Sequence, residues 1–233
     1  MMRFIAAMLL LSTGCATDSH IRKTDEDGER MRFELAETYV RKGAYAAAIP
    51  LLRREVAARP RSAAARALYG VVLREQGLYP QAERELKTAL SIAPSNARAE
   101  DALGVLYDLM RRPVEAEAAH RAALAVAPGE AMFWNNLGFS LYVARKDADA
   151  VVALEKALAI DPSLVVAYNN LGFAYGRRGD DAGAERCFRS SGGDVGVQMN
   201  MAIVYEQRGE TERASKLRAD AGRHESRIEM EAR

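Results

Sequence analysis

The feature that most constrains this chain is a repeat. Small residues recur at Ala36, Gly70, Gly104, Gly138, Gly172 and Ala202, four steps of 34 residues followed by one of 30. An alanine follows each of them in constant register, at Ala48, Ala82, Ala116, Ala150, Ala184 and Ala214. Proline then closes the first four units at Pro60, Pro94, Pro128 and Pro162. A period of this length holds one supersecondary unit, which cannot bury its apolar face alone, so the copies must stack. The small residues let two helix axes approach closely, with the small residue of the first helix facing the alanine of the second. Each proline stops a helix by removing a donor and clashing with the preceding turn. Gly43, Gly77, Gly179 and Gly209 fall where a first helix must end and turn. Pro80 and Pro113 fall near the start of a second helix, where a missing N–H costs little. Ser62, Ser95 and Ser163 are expected to cap the first helices that follow them.

These spacings predict an all-α chain of about six helix-turn-helix repeats over 29–62, 63–96, 97–130, 131–164, 165–194 and 195–228. Composition agrees: 49% of residues are hydrophobic but only 7% aromatic, which suits close-packed, alanine-rich helices better than a sheet. The 30-residue step removes about one helical turn from the second helix of the fifth unit without rotating its buried face. Gly192 and Gly193 there replace the missing proline. The last hairpin is less apolar, as a terminal cap should be, and 229–233 is a charged tail.

The fourth unit carries Trp134, Leu137, Gly138, Ala150, Leu154, Ala157 and Pro162. The fifth carries Tyr168, Leu171, Gly172, Tyr175, Gly179, Ala184 and Phe188. On these residues the chain closely resembles the tetratricopeptide repeat family over residues 29–228. The resemblance implies a right-handed superhelical solenoid whose first helices line a groove that holds protein segments. Carried over by register, the groove places give Asn136, Asn170 and Asn200 in the last three units. Neighbouring places give Asn135 and Asn169, Phe139 and Phe173, with Met132 and Val166 nearer the start of each helix. An amide both donates and accepts, so such a ladder can pair with a peptide backbone whatever its side chains. The same asparagines could instead bond only to neighbouring helices. The earlier units offer Glu37, Arg98, Asp101 and Asp108, which predicts a groove charged at one end and apolar with amides at the other.

The amino terminus reads as an address. Met1-Met2-Arg3 precedes FIAAMLLL, eight apolar residues that are too few to span a bilayer, which takes about 20. Ser12-Thr13-Gly14-Cys15 then resembles a bacterial lipobox, with Ser12 where leucine is usual. The expectation is a signal peptide over 1–14, lipidation at Cys15 and a flexible charged tether over 15–28. Ala16 after the cysteine favours the periplasmic face of the outer membrane of a Gram-negative bacterium. The alternative is an ordinary signal peptide with Cys15 incidental.

Chemistry is hard to find. Lys and Arg number 33 against 32 Asp and Glu, a net charge of +1, which gives no footprint for nucleic acid. His20, His120 and His224 are scattered, and neither Cys15 nor Cys187 pairs with them at metal-ligand spacing. His120 occupies a place that is apolar in other units, and reads as a helix-packing residue. No phosphate loop, dinucleotide fingerprint or zinc-helix motif is present. The chain therefore reads as a non-enzyme with no cofactor and no metal, whose partners are proteins or peptide segments and, through the anchor, the membrane. Its architecture resembles the Tad/Flp pilus lipoproteins of TadD type and the pilotins of type IV pilus secretins. That resemblance implies an adaptor in pilus or secretion-complex assembly. A scaffold for cell-wall hydrolases or proteases is the alternative, and a cytoplasmic cochaperone a further one.

Overall fold

A computed structural model of the chain describes residues 28 and 30–231, with side chains through residue 224. The leader over 1–14, the acceptor Cys15 and all but the last residue of the tether over 15–28 lie outside the described residues. Twelve helices and no strand occur among the described residues. They form two compact units, one ending at Pro94 and the other beginning at Ser95.

The first unit holds α1 (residues 30–41), α2 (Tyr45–Ala58), α3 (Ala63–Glu75) and α4 (Tyr79–Ile92). The second holds α5 (Ala97–Leu109), α6 (Pro113–Val126), α7 (Ala131–Val143) and α8 (Asp147–Ile160). It continues through α9 (Val165–Arg177), α10 (Asp181–Ser191), α11 (Asp194–Gln207) and α12 (Thr211–Glu231). Helices α4, α6, α8, α10 and α12 each pack on the first helix before them, Ala48 and Leu52 of α2 cluster with Ala36 of α1, and in the second unit α5, α7, α9 and α11 also pack side by side. The helix α12 continues through Glu231, into the segment read from sequence as tail.

The punctuation has physical causes. Helices α2, α4, α6 and α8 all end two residues before their proline. The turn after each first helix carries a left-handed residue: Gly43, Gly77, Gly179 and Gly209, but Arg111 (φ 56°) and Arg145 (φ 63°) in the two middle hairpins. There the backbone closes as elsewhere, Arg112 N–H to Tyr107 C=O and Lys146 N–H to Leu141 C=O at 2.9 Å. A side chain in this conformation costs about 1–2 kcal/mol that glycine avoids.

Three expectations need correction. Ser62 does cap α3, accepting from Ala65 N–H at 3.2 Å. Ser95 does not cap α5; Asn96 does, accepting from Ala99 N–H at 3.1 Å. Ser163 donates to Asp161 through both its N–H (2.9 Å) and its hydroxyl (2.7 Å), and α9 starts with no side-chain cap. The side chain facing each glycine is also not chiefly the alanine. A Cβ on Gly70, Gly138 or Gly172 would meet Leu86, Leu154 or Phe188, each within 2.6 Å. These side chains are essentially fully buried, and each contributes about 1.5–3 kcal/mol of apolar burial. In α5 and α6 the equivalent pair is Gly104 and His120.

The shortened step is visible as an 11-residue α10 where α2, α4, α6 and α8 have 14. Beyond it the C-terminal ends of α7, α9 and α11 are laced together. Arg177 stacks 3.6 Å from the Tyr142 ring centroid and pairs with Asp147. Arg208 donates to Gly176 C=O at 3.0 Å and to Asp181 at 2.5 Å. Tyr142 Oη then donates to Gln207 Oε1 at 2.7 Å, from α7 to α11.

Candidate peptide-binding groove

The side-by-side first helices of the second unit present an uneven face. On α7, Met132, Asn136, Phe139 and Val143 follow helical spacing and share one side. A cavity of about 420 Å³ opens there, lined by Val105, Asp108, Leu109, Arg111, Asn136, Phe139 and Val143. Phe139 is 44% exposed, Leu109 50% and Val143 51%, although each belongs to a helix otherwise well packed. A larger cavity, about 620 Å³, lies against α10, α11 and α12. Its rim mixes both signs of charge, and Arg213 there is already paired with Glu210. The smaller cavity, apolar with a few convergent polar groups, has the character of a binding site.

The structure divides the seven candidate groove residues. Asn136 and Phe139 line the cavity. Asn135 does not, being 4% exposed and spent between helices: its amide donates to Asn136 at 3.2 Å and its oxygen accepts from Asn170 at 2.9 Å. Asn136 donates in turn to Asp101 at 2.9 Å. Asn169 accepts from Asn200 (3.2 Å) and from the Ser191 hydroxyl (2.7 Å). The amides thus form two runs that staple successive first helices, Asp101–Asn136–Asn135–Asn170 and Asn169–Asn200. Asn136, Asn170 and Asn200 are partly exposed, and an amide has more hydrogen-bonding capacity than these bonds use. Phe173 sets its ring edge-on to Phe188, centroids 5.0 Å apart, and so belongs largely to the core.

The expected charged end of the groove is different in kind. Asp101 and Asp108 both turn a carboxylate oxygen to His120, and only Asp108 also lines the cavity. The imidazole is fully buried, with Nδ1 2.9 Å from Asp101 and Nε2 3.2 Å from Asp108. Asp108 also accepts from the Ser140 hydroxyl at 2.7 Å. Burial pushes the His120 imidazole down, but the hydrogen bonds and charges of the two carboxylates outweigh it and hold the group above its ordinary value. His120 is therefore a packing residue, as expected, and also the hub of a buried ionic cluster, which the sequence reading missed. The signal was present: Asp101 and Asp108 flank Gly104 by one turn on either side, on the α5 face that meets the histidine.

Among the described residues no group of three His, Cys, Asp or Glu is arranged to hold a metal ion, and no helix is long and apolar enough to cross a membrane. Cys187 is buried, and burial pushes its thiol up to about 11, away from the nucleophilic thiolate.

Known proteins give a consistent picture. A tetratricopeptide repeat model matches residues 33–97, and a TPR repeat model matches residues 146–179. No curated protein matches this sequence. Among solved structures, PilW, described as a widely conserved type IV pilus biogenesis factor, is 20% identical with a TM-score of 0.71, covering 82% of this chain and 91% of its own. PilF of Pseudomonas aeruginosa is 20% identical with a TM-score of 0.70, covering 87% and 92%. YrrB, described as a TPR protein with an unusual peptide-binding site, is 18% identical with a TM-score of 0.58, covering 73% and 90%. At such identities the likeness is one of fold. Matched repeats, helical hairpins and shared fold agree that this chain is built of tetratricopeptide repeats.

Proposed function

We propose that the chain is a scaffold that captures an extended, mainly apolar segment of a partner protein on the face formed by α5, α7 and α9. The observation that carries this reading is the cavity beside Asn136, where Phe139, Leu109 and Val143 stand about half exposed. Apolar side chains of a partner would bury against them, and the partly exposed amides of Asn136 and Asn170 would meet its backbone. We further propose that Cys15 carries lipid and tethers the repeats to the periplasmic face of the outer membrane. The partner would then be a component of a pilus or secretion complex; the fold shared with PilF and PilW supports this choice over cell-wall hydrolases and their proteases.

A photocrosslinking residue at Phe139 of the full chain, followed by mass spectrometry, tests the capture. Recovery of pilus or secretion components is the expected result. Recovery of hydrolases alone would overturn the choice of partner, and crosslinks no different from those of an exposed site such as Val114 would sink the groove. For the anchor, metabolic lipid labelling should mark the parent protein and spare Cys15→Ala. An unlabelled parent protein ends that reading.

A further inference from the structure

In four other hairpins the slot occupied by His120 holds an apolar residue: Leu52, Leu86, Leu154 or Phe188. Nothing in the backbone requires a charge there. Gly104 supplies the room, since a Cβ at that position would fall 2.6 Å from the ring. Asp101 and Asp108 supply one carboxylate for each ring nitrogen. The other oxygen of each carboxylate reaches α7, Asp101 accepting from Asn136 at 2.9 Å and Asp108 from Ser140 at 2.7 Å. One buried ring on α6 thus joins α5 to α7 by two bridges, and the cavity lies between those helices, with Asp108 and Asn136 in its lining.

We propose that His120 is the positioning residue of this groove, holding Asp108 directly and Asn136 through Asp101, and that the groove keeps its shape only while His120 carries its proton. The inference rests on the reading of the groove as the capture site.

From α5 the groups facing the ring are the two carboxylates; from α7 they are Asn136 and Ser140, which do not titrate. On α6 itself, Glu117 is one turn away and engaged by Arg121 and Lys146. A protonated ring donates from both nitrogens, and the cluster of two carboxylates and one imidazolium is fully hydrogen-bonded. When hydroxide in solution removes one proton, one nitrogen turns a lone pair toward a carboxylate. That contact becomes repulsive at a ring that is itself fully buried. The carboxylate must turn away, releasing either Ser140 or Asn136, and the α5–α7 gap loses one of its two bridges.

The test uses the full chain and Nile red, a neutral dye that reports apolar grooves. Dye affinity is measured from about pH 5.5 to pH 10. Over the same range, NMR of 15N-histidine protein follows the ring, and the Asn136 side-chain amide reports the bridge. The expected result is an affinity that falls about fivefold as the ring loses its proton, in step with the Asn136 signal. His120→Leu, which installs the residue of the neighbouring hairpins, should remove the pH dependence. Asp101→Asn/Asp108→Asn should do the same while keeping the ring, which guards against a folding artefact of the first variant. Dye affinity and Asn136 signals that stay flat while the ring titrates would overturn the inference. Phe139→Asp separates the two readings. If it leaves dye binding unchanged, the groove is not the capture surface, and the latch stands or falls on the Asn136 signal alone.

Discussion

The hairpin of α3 and α4 in the first unit and that of α5 and α6 in the second share one backbone plan and fill its central slot in opposite ways. In the first, Leu86 packs on Gly70, and the positions corresponding to Asp101 and Asp108 are Ala67 and Arg74. In the second, His120 packs on Gly104 between two carboxylates. The difference teaches that the glycine fixes the volume of the slot and leaves its chemistry to be exchanged as a set. A leucine is complete in itself, because its burial is favourable without a partner. An imidazolium is tolerable only with both acceptors present, since a buried charge left unpaired costs far more than the pair contributes.

That contrast can be broken by substitution, most severely from the ionic side. Asp101→Ala should cost about 3–5 kcal/mol, because it strips a partner from a fully buried ring and orphans Asn136; chemical denaturation would read it, and a loss below 1 kcal/mol would show that water enters the cluster. Leu86→His comes next, at about 2–3 kcal/mol, since its ring would find no carboxylate. A cost near zero would mean the slot accepts histidine without its partners. The pH dependence is smaller. The folded value of His120 lies above its ordinary one, so its contribution is complete below about 6.5 and is lost as pH rises through the folded value. Wild-type protein should therefore lose stability relative to His120→Leu toward high pH, and parallel curves would contradict this. The smallest effect is a gain: Arg145→Gly should stabilise by about 1 kcal/mol, because the turn then adopts its left-handed conformation without strain. A loss would assign the Arg145 side chain a structural role.

Much of the fold was legible because it depends on single residues at fixed spacing. The prolines after α2, α4, α6 and α8 act locally, and so do the turn glycines. The caps were read less well, since Ser95 and Asn96 are adjacent candidates and only the path of the chain chooses between them. The groove was legible as a row of places but not as a pattern of bonds. Asn135 and Asn136 are neighbours of one residue type, yet one is buried between helices and the other lines the cavity. For that reason Asn136→Ala/Asn170→Ala should cost about 1–2 kcal/mol as well as weaken capture. The ionic cluster needed three helices in space, and His120 alone on α6 looked like a misplaced packing residue.

The tyrosine that reaches past α9 has a mechanical consequence. A stack coupled only between neighbours would come apart under tension one hairpin at a time, in evenly spaced steps. The bond from Tyr142 to Gln207 joins helices two repeats apart, and Arg177 and Arg208 lace the helix between them. Pulled from its C-terminus, the array from α7 to α11 should resist as one block and then give way in a single long extension.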